Sequence, residues 1–337
     1  MDNVDIVIPW VDGHDVDWLN KKNKYLCNAN ELQKKCAVDS RYRVGIDLKY
    51  WFRAVEQCMP WVNKIFFVTD GQIPHFLNID NPKLRVVFHE DFIPKKYLPT
   101  FNSNTIEMNL FRIEDLSENF ILFNDDIFPL EYMKKEYFFK NGCVCDEAVE
   151  RIFAPKIREK IVNSFEYCRV NNMAIINKHF NKREVQKKYF SKWFNIKYGK
   201  NIFRNICMSY FYTFDDFSNR HLANSFKKKT FEEIWKQEYE LCDEGSENKF
   251  RNYSDVSQYL AQAWQLCSGK FYPRKTVGKS FLLSQNNYKT VIKYIKGKKF
   301  NIICLNDSIE LSNYNEIIFE IETAINSIYP NKSSYEL

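Results

Sequence analysis

The chain has 337 residues, 45% of them hydrophobic and 27% charged, a balance that belongs to a globular protein with a sizeable core and excludes a disordered one. Its net charge of +6 suits an anionic substrate or membrane surface and is too small to argue for nucleic acid. No run approaches the ~20 apolar residues that cross a bilayer. The acidic start Met1-Asp2-Asn3-Val4-Asp5 does not read as a secretory signal. The ten Cys are scattered, and the one close pair, Cys143 and Cys145, has no second pair to complete a zinc site. They read as reduced thiols acting as small apolar residues, so the chain is expected to be cytoplasmic.

Val4 to Val11 is a Val- and Ile-rich run that predicts a buried first strand, ending at the turn Asp12-Gly13-His14-Asp15. Residues 17 to 37 read as polar and helical. In the next segment Leu48, Trp51, Phe52 and Val55 fall at i, i+3, i+4 and i+7, the stripe of an amphipathic helix. Arg43, Lys49 and Arg53 lie off that stripe and could rim a diphosphate, although solvated surface charge is the more usual explanation for any one of them. The run Trp61 to Gln72 reads as a second buried strand ending in Thr69-Asp70-Gly71, and a short strand follows from Leu84 to His89. The alternation predicts a mostly parallel sheet with its loops gathered on one edge. Asn102-Ser103-Asn104 then opens a helix through Glu107 to Leu110, and a helix N-terminus is a natural anion site. Phe120 to Phe123 runs straight into Asn124-Asp125-Asp126. A strand ending in an amide and two carboxylates delivers hard oxygen ligands to a sheet rim, where Mg²⁺ or Mn²⁺ and the phosphates it holds are placed. The alternative for this short stretch is an Asx-rich turn.

From 131 to 217 the chain reads as a helical insertion rich in basic and aromatic residues. Between Lys178 and Phe194 these interleave without one broad apolar stripe. That pattern favours a segment packed on the core over one lying on an anionic membrane. His221 is a residue type suited to a base near neutral pH, and Arg251 offers a planar clamp for phosphate oxygens. Phe300 to Leu305 is a further apolar strand, ending in Asn306-Asp307, so strands from opposite ends of the chain could reach one metal. Residues 315 to 328 carry Ile317, Ile318, Ile321, Ile325 and Ile328 on one helical stripe.

Taken in order, five pieces resemble successive signatures of the Stealth family of sugar-1-phosphate transferases. They are Val7 to Gly13; Asp47-Leu48-Lys49-Tyr50 with Arg53; Pro60 to Ile65 with Val68 to Pro74; Phe101-Asn102-Ser103 with Ile106-Glu107; and Phe123 to Asp126. The likeness resumes at His221 to Lys228, Lys249 to Val256 with Asp255, and Leu305-Asn306-Asp307 with Tyr329 to Glu336. It spans residues 4 to 128 and 218 to 336. The first piece carries Pro9 where relatives usually carry Thr, and Lys49 stands where Arg is common.

The resemblance implies a Rossmann-like, glycosyltransferase-A-like α/β fold: a mostly parallel sheet with flanking helices, formed by residues 1–130 and 218–337, with 131–217 inserted. It implies transfer of a hexose-1-phosphate, an N-acetylhexosamine-1-phosphate, from a UDP-sugar to a hydroxyl of an oligosaccharide or lipid-linked glycan. UMP is released, and the product is a phosphodiester in a bacterial capsular or cell-surface polysaccharide. Asp125, Asp126, Asn306 and Asp307 would hold Mg²⁺ or Mn²⁺. His221 would be the base and Arg251 the phosphate clamp. Asp12, Arg43, Asp47, Lys49, Arg53, Asn102, Glu107 and Asp255 would hold donor and substrate. No nucleic acid is expected, and a lipid-linked acceptor would bring the chain to the inner membrane face. Two rivals stay open on the residues alone: a metal-dependent glycosyltransferase that releases UDP, which the same strand-end carboxylates would serve, and a noncatalytic sugar-binding component of an assembly complex.

Overall fold

The structure is a computed structural model that describes residues 3–37, 42–43, 45–154, 164–306 and 313–337. In chain order, the elements that build the site begin with β1 (Val4–Pro9), α1 (Val16–Leu26), α2 (Glu31–Cys36), α3 (Leu48–Cys58), β2 (Ile65–Thr69) and β3 (Leu84–Phe88). They continue with α4 (Ser103–Asn109), β4 (Asn119–Leu122), β5 (Ile127–Pro129), α5 (Ser164–His179), α6 (Asn201–Met208) and β6 (Asn224–Lys227). The last are α7 (Tyr259–Cys267), β7 (Gly278–Leu282), α8 (Tyr288–Lys296), β8 (Ile302–Asn306) and α9 (Tyr314–Ile328).

The central sheet has the order β6-β4-β1-β2-β3. Strands β1 to β4 are parallel, and β6 runs antiparallel to β4 on the outer edge. Val4, Ile6, Val7 and Ile8 are all buried, as are Ile65 to Val68 and Phe120 to Leu122. Strands covered on both faces read as unbroken apolar runs, which is why these three stand out in the sequence. The α/β class and the mostly parallel sheet with flanking helices are therefore as expected. A smaller sheet, β7-β8-β5, pairs β7 with β8 in parallel and β8 with β5 antiparallel.

Three expectations change in detail. The helix foreseen over 17 to 37 is two helices. Asn30 begins α2 with a capping box in which its side chain accepts from the Gln33 N–H and Gln33 answers its backbone, and this competes with one continuous helix. The 131–217 stretch is not purely helical. Phe139–Lys140 and Cys143–Asp146 form a strand pair, and Cys143–Asp146 also pairs with Phe271–Pro273 further along the chain. Within 178 to 194, Val185 and Trp193 are buried and Phe180 meets Trp264 edge-on at 4.9 Å, the arrangement of a segment packed on the core.

The third change concerns α3. Leu48, Trp51, Phe52 and Val55 are buried as the spacing predicts, each contributing about 1.5–3 kcal/mol by leaving water. Arg53, expected on a cationic rim, is buried with them. Its guanidinium donates to Glu336 Oε1 at 2.8 Å and Oε2 at 2.6 Å, and to the Asn326 side chain and the Tyr329 carbonyl. The C-terminal segment covers the face of α3 that a lone amphipathic helix would show to solvent, so Arg53 is a clasp between chain ends and not a donor contact. Arg53→Met leaves Glu336 buried without its partner, and urea denaturation should show a loss of about 3–5 kcal/mol.

Candidate active site

The parallel strands β1 to β4 bring their carboxyl ends to one edge of the sheet, and a cavity of about 600 Å³ opens there. Its wall includes Trp10 and Val11 after β1, Asp70 after β2, His89 after β3, and Asn124, Asp125 and Asp126 after β4. Leu305 and Asn306, at the end of β8, complete that side. Gly13 makes the first of these turns workable: a Cβ there would stand 1.9 Å from the Tyr42 carbonyl oxygen. Trp18, Tyr42 and Tyr314 add aromatic surface.

One side of the cavity gathers metal-ligating groups. The Leu305 N–H donates to the Asp126 carbonyl at 2.8 Å, which locks the end of β8 beside Asn124-Asp125-Asp126. Asp126 Oδ2 lies 3.8 Å from His221 Nε2 and 3.1 Å from Cys304 Sγ, so an imidazole and a thiol flank this carboxylate. Burial, reinforced by the Asp126 carboxylate, pushes the Cys304 thiol far up, so the S–H stays protonated and donates to Asp126. Asn306 donates in turn to the Cys304 sulfur at 3.3 Å. Asp126 Oδ1 is buried with no hydrogen-bond partner among the described residues. An orphaned carboxylate oxygen beside Asp125 and Asn306, all facing one cavity, fits a hard divalent cation. Asp307 lies outside the described residues.

His221 reaches this position through a backbone in the left-handed region (φ 48°), an uncommon conformation for a residue with a Cβ and one that clusters at functional sites. The Asn219 side chain accepts from its N–H at 2.6 Å. Tyr259 OH sits 3.2 Å from Nδ1, and burial holds the phenol well above its ordinary range, so the hydroxyl stays protonated. Tyr259 thus steadies the ring while Nε2 faces Asp126.

The facing side gathers groups for an anion. Arg251 donates to Ser103 Oγ at 2.7 Å at the start of α4. Asn102 caps α4, accepting from the Asn104 N–H, and donates to Asp255 Oδ2 at 2.9 Å. Asp255 also accepts from the Asn104 and Asn248 side chains and the Asn252 N–H. Both Asn102 and Asp255 are buried beneath the cavity wall, so they position the Arg251 loop against α4 and are not placed to touch a ligand. Glu107 does line the cavity. Burial, only partly opposed by Arg251, raises its carboxyl to about 7.

Of the remaining predicted contacts, Arg43 lines the cavity while Asp12, Asp47 and Lys49 do not. Arg43 lines the cavity and stacks on the Tyr314 ring at 4.3 Å. Asp47 caps α3 and pairs with Lys49 at 2.6 Å, and neither lines the cavity. Asp12 accepts from the His14 N–H, while Gln72 bridges its backbone to Asp15, tying the first two strand-end loops together. Cys304, Tyr259, Ser103 and His89 were not foreseen as site residues. Ser103 carried a signal, in the Asn102-Ser103-Asn104 helix start, and so did His89, as the residue closing the Leu84 strand; burial lowers the His89 imidazole to about 4, so it is neutral near pH 7.

Residues 41–146 match the model of Stealth protein CR2, conserved region 2. The chain is 42% identical over its full length to a capsular polysaccharide phosphotransferase, WcwK, of Streptococcus pneumoniae, covering 98% of that protein. It is 34% identical to the exopolysaccharide phosphotransferase cps2G of Lactiplantibacillus plantarum, over 99% of this chain and 96% of that one. The galactosyltransferase LgtC, solved with donor and acceptor sugar analogues, aligns over 95% of both chains at a TM-score of 0.37 and 11% identity, a likeness too distant to carry an argument. The protein is a phosphotransferase. The chain belongs to the Stealth family.

Glu107 gives the site a signature in pH. Below its raised pKa the neutral carboxyl leaves the positive charge of Arg251 for an anionic ligand; above it, the ionised carboxylate offsets that charge. The kcat/KM for the donor should fall as pH rises through about 7, and Glu107→Gln should flatten that limb.

Proposed function

We propose that the chain transfers a hexose-1-phosphate from a UDP-sugar, a UDP-linked N-acetylhexosamine by family resemblance, to a hydroxyl of an oligosaccharide or lipid-linked glycan. Relatives named as capsular and exopolysaccharide phosphotransferases support polysaccharide synthesis as the setting. The observation that carries the reading is the pairing of His221 and Asp126 in the cavity that also holds Arg251 and Arg43. A base, a carboxylate cluster and cationic side chains around one space suit attack at phosphorus, where positioning and charge neutralisation supply most of the catalysis.

In this reaction the acceptor oxygen attacks the β-phosphorus and its proton passes to His221 Nε2. The new P–O bond forms as the bond from the β-phosphorus to the bridging oxygen breaks, and UMP leaves with that oxygen. The bond between the donor sugar and its phosphate is untouched, so the anomeric configuration is kept. Tyr259 holds the imidazole, and Arg251 and Arg43 face the phosphate oxygens. Asp125, Asp126 and Asn306 would hold Mg²⁺ or Mn²⁺, which when bound neutralises charge on the diphosphate. Among the described residues no helix is long and apolar enough to cross a membrane. A cytoplasmic setting, where nucleotide sugars are made, follows from the donor.

Incubation with UDP-N-acetylhexosamine, Mg²⁺ and acceptor glycans should release UMP and give a ³¹P resonance of a phosphodiester. Release of UDP with a phosphorus-free product would make the protein a glycosyltransferase instead. His221→Ala should lower kcat by about 10²–10⁴, and Asp126→Asn should weaken the metal dependence; unchanged turnover in both would sink the assignment.

A further inference from the structure

Helix α6 presents the wrong face to water. Its buried polar residue, Asn205, donates to the carbonyls of Ala148 and Trp193, each at 2.7 Å, and accepts from the Glu150 N–H at 2.8 Å. These three bonds fix the rotation of the helix. Phe203 and Ile206, one turn apart on the opposite face, are consequently held outward at 71% and 51% exposure. Tyr210 continues the stripe just past the helix end at 82%, followed by Phe211 at 50% and Tyr212 at 74%. Contiguous exposed aromatic and aliphatic surface of this kind marks a contact site, not ordinary surface.

Charge says what the contact is. From Lys178 to Thr213 the chain carries nine basic residues and one acidic residue, Glu184. Lys200 and Arg204 are exposed on the patch itself, Arg183 stacks on the Tyr212 ring at 4.0 Å, and Lys187 and Lys188 are exposed nearby. Outward Phe and Ile, Tyr with its polar tip, and an almost purely cationic surround match the boundary between anionic headgroups and acyl chains.

We propose that α6 and the Tyr210-Phe211-Tyr212 segment form a docking surface for an anionic phospholipid bilayer, on which the protein lies peripherally. The surface is not the Lys178 to Phe194 stretch, whose large apolar side chains mostly pack inward, but the segment after it. Tyr212 stands nine residues before His221 in the chain, and docking would hold the protein on the surface that carries a lipid-linked acceptor. Binding to lipid needs neither donor nor acceptor, so it stands or falls separately from the transfer reaction.

Sedimentation of the full chain with phosphatidylcholine vesicles, with and without phosphatidylglycerol, tests this. The protein should pellet with the anionic vesicles and be released by raised salt. Lys200→Glu/Arg204→Glu should weaken partitioning about tenfold or more, and Phe203→Ser/Tyr210→Ser/Tyr212→Ser should abolish it. The control Lys293→Glu/Lys296→Glu changes net charge equally on the exposed side of α8 and should leave partitioning close to that of the unaltered chain. Turnover of a water-soluble acceptor should survive in all three variants, which shows them folded. Equal partitioning of patch and control variants overturns the proposal, as does failure of the unaltered protein to bind anionic vesicles. A protein that ignores vesicles but self-associates through the aromatic patch, becoming monomeric in the triple Ser variant, would show a protein interface in its place.

Discussion

The site depends on the pairing of β8 with β5. Because β5 begins directly after Asn124-Asp125-Asp126, the antiparallel register that sets Cys304 opposite Ile127 also sets Leu305 against Asp126 and carries Asn306 toward Asp125. A bond from the Leu305 N–H to the Asp126 carbonyl closes the corner. Without this small sheet Asn124-Asp125-Asp126 and Asn306 would belong to segments about 180 residues apart, with nothing local to bring them together. The pairing also buries Cys304 against Asp126, so the thiol is a hydrogen-bond donor within the cluster and not the inert filler that its apolar surroundings suggest. An inert-looking core strand therefore helps set the orientation of the Asp126 carboxylate.

The opposite wall is built on a different economy. Asp255 is a carboxylate with almost no exposure, and it holds its loop by accepting from Asn102, Asn104, Asn248 and the Asn252 N–H. A buried carboxylate is tolerated only when its lone pairs are engaged, and here the donors come from both the start of α4 and the Arg251 loop. Burial still raises its pKa, so the network is sensitive to the loss of any one donor. The arrangement explains why Asn102 and Asp255 belong to the same series of motifs as Arg251 while lying beneath the cavity wall.

Much of this was legible in the residues. The three central strands announced themselves because both faces are covered, and α3 and α9 because one stripe is. The strand-end Asp and Asn residues were visible as polar interruptions of apolar runs, and His221 and Arg251 as members of an ordered series. What stayed hidden shares a cause. Lys49 and Arg53 look like equivalent cations off a helix stripe, yet one is matched by Asp47 two residues before it and the other by Glu336 at the far end of the chain. Arg43, beside them in sequence, faces the cavity instead.

The sequence by itself determined the alternation of strand and helix, the mostly parallel sheet, and the chemistry gathered at its carboxyl edge. Hydrophobic period and turn residues are local, and local signals suffice for these. Only the tertiary structure decided which cations face the cavity, which carboxylate supports and which one points inward, and that α6 turns Asn205 in and Phe203 out. Each of those outcomes depends on what covers a given face. In a folded chain that cover comes from residues far away in sequence, so no local period records it.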